Sequence, residues 1–178
     1  MTKIVLIFGL ISGAISAALM WILVGVVNTG GTDFDNGMIW GYATMIIALS
    51  LVFFGVKSYR DNHGGQITFL KALQVGILIS LISAVCYAAS WEFYYRGSGQ
   101  EFLQKYTAHY LDKMKKGGAS DVEVEKARVE SEQFMELYRN FFIRFGMTLM
   151  EILPVGVIVT LISAALLRKR DILPAEPA

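Results

Sequence analysis

Apolar residues along the chain gather into four blocks, at residues 4–27, 38–56, 72–95 and 146–167. Each block approaches the roughly 20 residues that a helix needs to cross a bilayer core at about 1.5 Å per residue. The pattern therefore predicts four transmembrane helices in a single membrane domain, residues 1–178.

The segment between the third and fourth blocks, residues 96–145, is polar and has the pattern of two helices. Its first half places apolar residues four positions apart, as an amphipathic helix does: Phe102, Tyr106, Tyr110 and Met114. A glycine pair at 117–118 then ends this helix, and Ser120 with Glu123 forms a capping box that starts another. We expect an all-α membrane protein of four transmembrane helices with an extramembrane helical hairpin between the third and fourth spans. The "GSG" at 97–99 is interpreted as a loop.

Small residues recur at four-residue intervals on three spans and predict the faces along which these helices pack. They are Gly9, Gly13 and Ala17 in the first span, Gly76, Ser80, Ala84 and Ala88 in the third, and Gly156, Thr160 and Ala164 in the fourth. The similar fragments "LISGAISAAL", "LISAVCYAA" and "LISAALL" fit either a repeated two-span unit or a coincidence among few residue types.

Composition agrees with a membrane protein and excludes other classes. Hydrophobic residues make up 54% of the chain, and the mean hydropathy is +0.50, whereas soluble chains are roughly 45–50% apolar. Four spans and a hairpin leave no room for a separate soluble enzyme domain of about 100 residues. The net charge of +1 argues against a nucleic-acid partner, which would require a strongly basic face.

Lysine and arginine residues predict the orientation, since short loops rich in them stay in the cytoplasm. Seven of the 16 fall on one side of a four-span path: Lys3, Lys57, Arg60, Lys71, Arg168, Lys169 and Arg170. The other nine lie in the segment 96–145, among eight acidic residues, and long loops cross the membrane largely regardless of charge. Both termini are therefore expected in the cytoplasm.

Motifs of known chemistry are missing from the sequence. It contains no "GxxxxGK[ST]" phosphate loop, no "HExxH" and no "GxSxG". His63 and His109 fall on opposite sides of the membrane in the expected topology, so they cannot share a metal ion. We therefore expect no catalytic residue, no metal site and no cofactor.

Two acids near the ends of spans are the candidate polar site. Glu92, among interfacial aromatic residues, is interpreted as an anchor at the membrane boundary, with Arg96 four residues on. Glu151 stands in "MEILPVG", three residues before Pro154, which leaves the Met150 carbonyl without its helical donor.

Glu151 has two interpretations. In one, its carboxylate reaches the membrane surface and is satisfied by Arg144 or by the hairpin. In the other, it lines a small outward-facing cavity with Tyr138, Arg144 and Glu92 that binds a partner helix or a lipid.

The second connection, "VKSYRDNHGGQITFLKAL", is a candidate cytoplasmic turn or lipid-headgroup site, with Thr68 as the cap of the third span. Its candidate residues are Tyr59, Arg60, Asp61, Gly64, Gly65 and Lys71. The alternatives are an ordinary positive-inside turn with Tyr59 at the interface, or a site for a lipid phosphate or a partner.

"FFGVKSYRDNHGGQITFLKALQVG", followed by "EILPVGVIVTLISAALLRKR" in the last span, resembles the domain of unknown function 4199 family over essentially the whole chain. This resemblance implies a four-span protein of the bacterial inner membrane with no established activity. Members of that family are often encoded near a membrane glycosyltransferase of the polyprenyl-phosphate type, so the resemblance offers this enzyme as one candidate partner.

Two functions follow from these observations. The first is a non-enzymatic membrane subunit or scaffold that binds a partner membrane protein or a second copy of itself, in contact with membrane lipids. The second is a small transporter or channel with an outward-facing polar site at Glu151. Transport requires ionisable groups near the middle of the spans, and both Glu92 and Glu151 are placed near the outer ends, which favours the subunit.

Overall fold

The computed structural model describes residues 1–31 and 33–168, and every regular element in this part of the chain is helical. In chain order the elements are α1 (Thr2–Asn28), α2 (Phe34–Leu49), α3 (Leu51–Asp61), α4 (Phe69–Tyr94), a π-helical segment (Tyr95–Gly99), α5 (Gln100–Lys116), α6 (Asp121–Tyr138) and α7 (Phe141–Leu167).

Four helical stretches are long and apolar enough to cross a membrane: α1, α2 with α3, α4, and α7. The expected all-α membrane fold is confirmed. Helices α2, α4 and α7 begin before their apolar blocks because polar caps start them. Asp33 accepts from the Asn36 amide at 2.7 Å, Thr68 from the Lys71 amide at 3.3 Å, and Asn140 caps α7. The cap predicted at Thr68 is thus confirmed.

The central helix is α4, which packs against α1 on one side and α7 on the other. The predicted small-residue faces lie at these contacts. A Cβ atom added to Gly13 would lie 2.5 Å from Cβ of Cys86, and one added to Gly156 would lie 2.8 Å from Cβ of Ser80. Since small residues let helix backbones approach closely, these faces are occupied by contacts within the bundle.

Buried hydroxyl groups add polar links at the same contacts. The Ser12 hydroxyl donates to the Ala48 carbonyl at 2.8 Å and lies 3.0 Å from the Ser83 hydroxyl. The hydroxyls of Ser80 and Thr160 lie 3.3 Å apart. In a membrane such bonds satisfy polar groups that lipid cannot, so they join α1, α2, α4 and α7.

The hairpin consists of α5 and α6, and its predicted turn is confirmed. Gly118 has a φ of +87°, which favours glycine. Ser120 and Glu123 form the expected reciprocal capping box at the start of α6.

The prediction of a loop at residues 97–99 is wrong. Helix α4 continues into α5 through the π-helical segment Tyr95–Gly99. A Cβ atom on Gly99 would lie 2.6 Å from the Tyr95 ring, so the missing side chain leaves room for that ring beside the widened turn. The hairpin is therefore a continuation of the third span.

We expect Gly13→Ala to lower the free energy of unfolding by about 1–3 kcal/mol, because the added methyl group would also press on the Ser83 backbone at 3.3 Å. Gly25→Ala in the same helix is the control, since its Cβ would meet no atom within 4 Å. Thermal unfolding in mild detergent measures both variants. Equal thermal unfolding midpoints for Gly13→Ala and Gly25→Ala would contradict close packing at Gly13.

Candidate functional site

A buried ion pair joins α4 to the start of α7 at the hairpin end of the bundle. Arg144 donates from Nε to Oε1 of Glu92 and from Nη2 to Oε2 of Glu92, each at 2.6 Å. The two side chains are only 6% and 7% exposed. Two-pronged contacts of this kind are among the strongest that arginine makes with a carboxylate, so the pair holds α7 against α4.

The same guanidinium binds the end of α6. Nη1 of Arg144 donates to the carbonyls of Tyr138 and Arg139 at 2.8 and 3.1 Å, in the last turn of a helix, where carbonyls lack helical donors. Its carbon atom Cζ lies 3.9 Å from the centre of the Tyr95 ring, a cation–π distance. One side chain thus contacts α4, the π-helical segment, α6 and the chain leading into α7.

Tyr138 ties the hairpin to α4 through its ring and its hydroxyl. The indole N–H of Trp91 donates to the Tyr138 hydroxyl at 2.8 Å, and the Tyr95 and Tyr138 rings meet edge to face at 5.7 Å. Burial raises the pKa of the Tyr138 phenol, which keeps the hydroxyl neutral.

A cavity of about 290 Å³ lies beside this cluster, among α1, α2, α4, α5, α6 and α7. Its volume is near the lower end of the roughly 300–1,000 Å³ of small-molecule sites. Aromatic side chains make up much of its wall, among them Phe34, Tyr42, Tyr87, Trp91 and Tyr138. The cavity therefore has the lining of a small organic-ligand site.

Glu151 lies on the wall of this cavity and remains exposed there. Among the described residues it has no hydrogen bond and no ion pair. Arg144, the nearest cation along α7, already binds Glu92 and the two α6 carbonyls. The carboxyl group of Glu151 is therefore the unpaired acid of the site.

The structure divides the predicted polar site into two parts. Glu92 and Arg144 form the buried pair, whereas Tyr138 and Glu151 line the cavity. Pro154 is exposed and is not part of the cavity wall.

The expected partner of Glu92 was the nearby Arg96, and this expectation is wrong. The Glu92 carboxylate is buried and turned towards α7, where Arg144 satisfies both of its oxygens. For the same reason Arg144 does not satisfy Glu151.

Sequence reasoning missed Tyr95 as a partner of Arg144 and missed Tyr87 and Thr148 on the cavity wall. Tyr87 and Thr148 lie one helical turn, four and three residues respectively, from Trp91 and Glu151. Helical spacing around these two residues could have indicated them.

The candidate turn lies at the opposite end of the bundle, between α3 and α4. Asp61 binds Nζ of Lys57 at 2.5 Å and Nη2 of Arg60 at 2.9 Å. Gly64 and Gly65 have positive φ angles of 78° and 71°, as a tight turn requires.

Arg60 is only 1% exposed, so it is not placed to contact lipid headgroups as expected. The Tyr59 ring stacks on His63 at 4.0 Å, with Nζ of Lys71 at 5.9 Å from it. Of the seven Lys and Arg residues predicted on the cytoplasmic side, Lys169 and Arg170 lie outside the described residues.

Among the described residues, no three His, Cys, Asp or Glu side chains come together as a metal site. The fold and its buried cluster define an all-α, four-span membrane protein with a hairpin fastened to the bundle. The chain belongs to the family described as protein of unknown function (DUF4199), whose model matches residues 7–169. No curated protein and no solved structure matches the chain.

We expect Glu92→Gln to lower the free energy of unfolding by about 3–5 kcal/mol, because it leaves the buried Arg144 charge without its counter-ion. Glu101→Gln is the control, since its pair with Lys105 is exposed and screened by solvent. Thermal unfolding and the rate of tryptic cleavage within the hairpin measure the effect. Equal behaviour of the two variants would show that the buried pair does not hold the hairpin.

Proposed function

We propose that the protein is a non-enzymatic subunit of the bacterial inner membrane that binds a partner membrane protein through its hairpin. The observation that carries this proposal is a stripe on α6, outside the spans, whose exposed apolar residues alternate with Lys126 and Gln133 on the same face. Val122, Val129 and Leu137 are 79%, 40% and 55% exposed. Their spacing of seven and eight residues places them on one face of the helix.

This stripe is separate from the face that α6 uses within the protein. The buried residues of α6 are Val124, Ala127 and Tyr138, so the exposed face has no apolar partner in the described chain. Exposed apolar surface outside the membrane is typical of protein–protein contacts. The attachment of α6 to Arg144 supports this role, because a rigid element loses little entropy on binding.

The interior of the bundle favours this function over the alternative of a transporter. At the end opposite the hairpin, Leu49, Val52, Val56, Val75 and Ile79 are fully buried in one apolar cluster. These side chains close the bundle beneath the cavity. The small-residue faces are also occupied within the bundle, which leaves the hairpin as the surface for a partner.

We further propose that both termini are cytoplasmic. The ends of α1 and α7 that carry Lys3 and Arg168 lie on the same side of the four-span path as the turn with Lys57 and Lys71, in keeping with the positive-inside rule. A reporter active only in the cytoplasm should give no signal when inserted after Gly118. Fusion after Ala178 should give signal, and a strong signal after Gly118 would overturn this orientation.

A mild-detergent pull-down with mass spectrometry tests the partner. We expect Val129→Glu with Leu137→Glu to reduce recovery of a stoichiometric membrane protein by about fivefold or more, because both changes place charge on the stripe. Gln104→Glu, exposed on α5, is the control for added charge.

The identity of the recovered protein decides between partners. A membrane glycosyltransferase would fit the partner class that the family resemblance implies, and a second copy of this chain would make it a homo-oligomer. If the double variant is folded and still recovers the partner protein as well as the unchanged chain does, the proposed role of the stripe is wrong.

A further inference from the structure

We propose that the cavity beside Glu151 binds an organic ammonium ion, a positively charged nitrogen that carries an apolar body. This inference concerns a ligand site inside the bundle and does not rest on the proposed partner surface. Three features of the cavity support it: its charge, its aromatic wall and its accessibility.

The charge of the cavity comes from Glu151. None of the described residues that line it is Lys, Arg or His, and Glu151 is the one acid among them. Arg144 cannot move to neutralise Glu151 without leaving Glu92 unpaired in a buried position. A carboxylate in largely apolar surroundings is stabilised by a cation, so the cavity selects a positively charged ligand.

The wall of the cavity favours an organic cation over a metal ion. Tyr87, Trp91 and Tyr138 line the same cavity as Glu151, and aromatic faces attract ammonium groups through cation–π interactions. Calcium and magnesium require about six oxygen ligands, and the described wall offers a single carboxylate. Apolar side chains such as Met20 and Leu23 would contact the body of the ligand.

Size and access are also consistent with this ligand. A volume of about 290 Å³ is much larger than a bare ion and suits a small organic molecule. Glu151 is exposed and lines the cavity, so a ligand in the cavity can contact its side chain. Its lack of partners also means that Glu151→Gln removes the charge without breaking a contact of the fold.

Isothermal titration calorimetry on the full chain in mild detergent tests the proposal, with benzyltrimethylammonium as the probe. We expect binding to the unchanged protein and a loss of affinity of about tenfold or more in Glu151→Gln, because the electrostatic attraction to the carboxylate in largely apolar surroundings is lost. Glu101→Gln removes an acid of the hairpin and should bind as the unchanged protein does.

A second variant tests the aromatic wall. Tyr87→Leu keeps an apolar side chain but removes the ring, and we expect it to weaken binding several-fold. Benzenesulfonate, an aromatic anion, should not bind. Failure of benzyltrimethylammonium to bind, equal binding to Glu151→Gln, or binding of the anion with similar affinity would overturn the proposal.

The ammonium group could belong to a soluble amine or to a lipid headgroup, and nanodiscs distinguish the two sources. A weaker apparent affinity for benzyltrimethylammonium in phosphatidylethanolamine than in phosphatidylglycerol nanodiscs would identify the lipid headgroup as a competitor. Equal affinity in both would assign the site to a soluble amine. These results do not depend on the stripe of α6, so the ligand site and the partner surface are tested separately.

Discussion

The bond between Arg144 and Glu92 is the constraint on which the hairpin end of the molecule depends. Removing two charges from water is costly, and the pair is stable only when every part of its geometry is kept. Arg144 meets this condition by binding both oxygens of Glu92 and the last carbonyls of α6. Movement of α6 away from the bundle would break these contacts together, so the hairpin and the spans behave as one body.

The same pairing determines the chemistry of the cavity. Glu92 and Glu151 both lie near the hairpin end, yet one is enclosed by donors and the other is left without a partner. Because the arginine is committed to Glu92, the second carboxyl group faces an aromatic space without a cationic partner among the described residues. The single choice of partner by Arg144 thus places two similar acids in different environments, one in a buried ion pair and one on a cavity wall.

Sequence patterns predicted the features that depend on local chemistry. The spans follow from hydropathy because a helix is one of the few structures that satisfy the backbone in lipid, and Ser120 with Glu123 marks the start of α6. The partner of Glu92 could not be found in this way. Arg96 is one helical turn away in sequence, whereas Arg144 is 52 residues away, and the packing of α7 on α4 decides between them. The π-helical turn was missed because its two glycines and serine are typical of a loop.

That turn also sets the rotational phase of the hairpin. A π-helical turn contains one residue more than an α-helical turn, and one residue corresponds to about 100° of rotation around an α-helix. The segment Tyr95–Gly99 therefore determines which side of α5 faces α2, where Phe34 meets Phe102 and Tyr106. Loss of a single residue there would let the helix become regular and turn that aromatic face away. The number of residues in this segment, as much as their identity, specifies the direction in which the hairpin presents its outer surface.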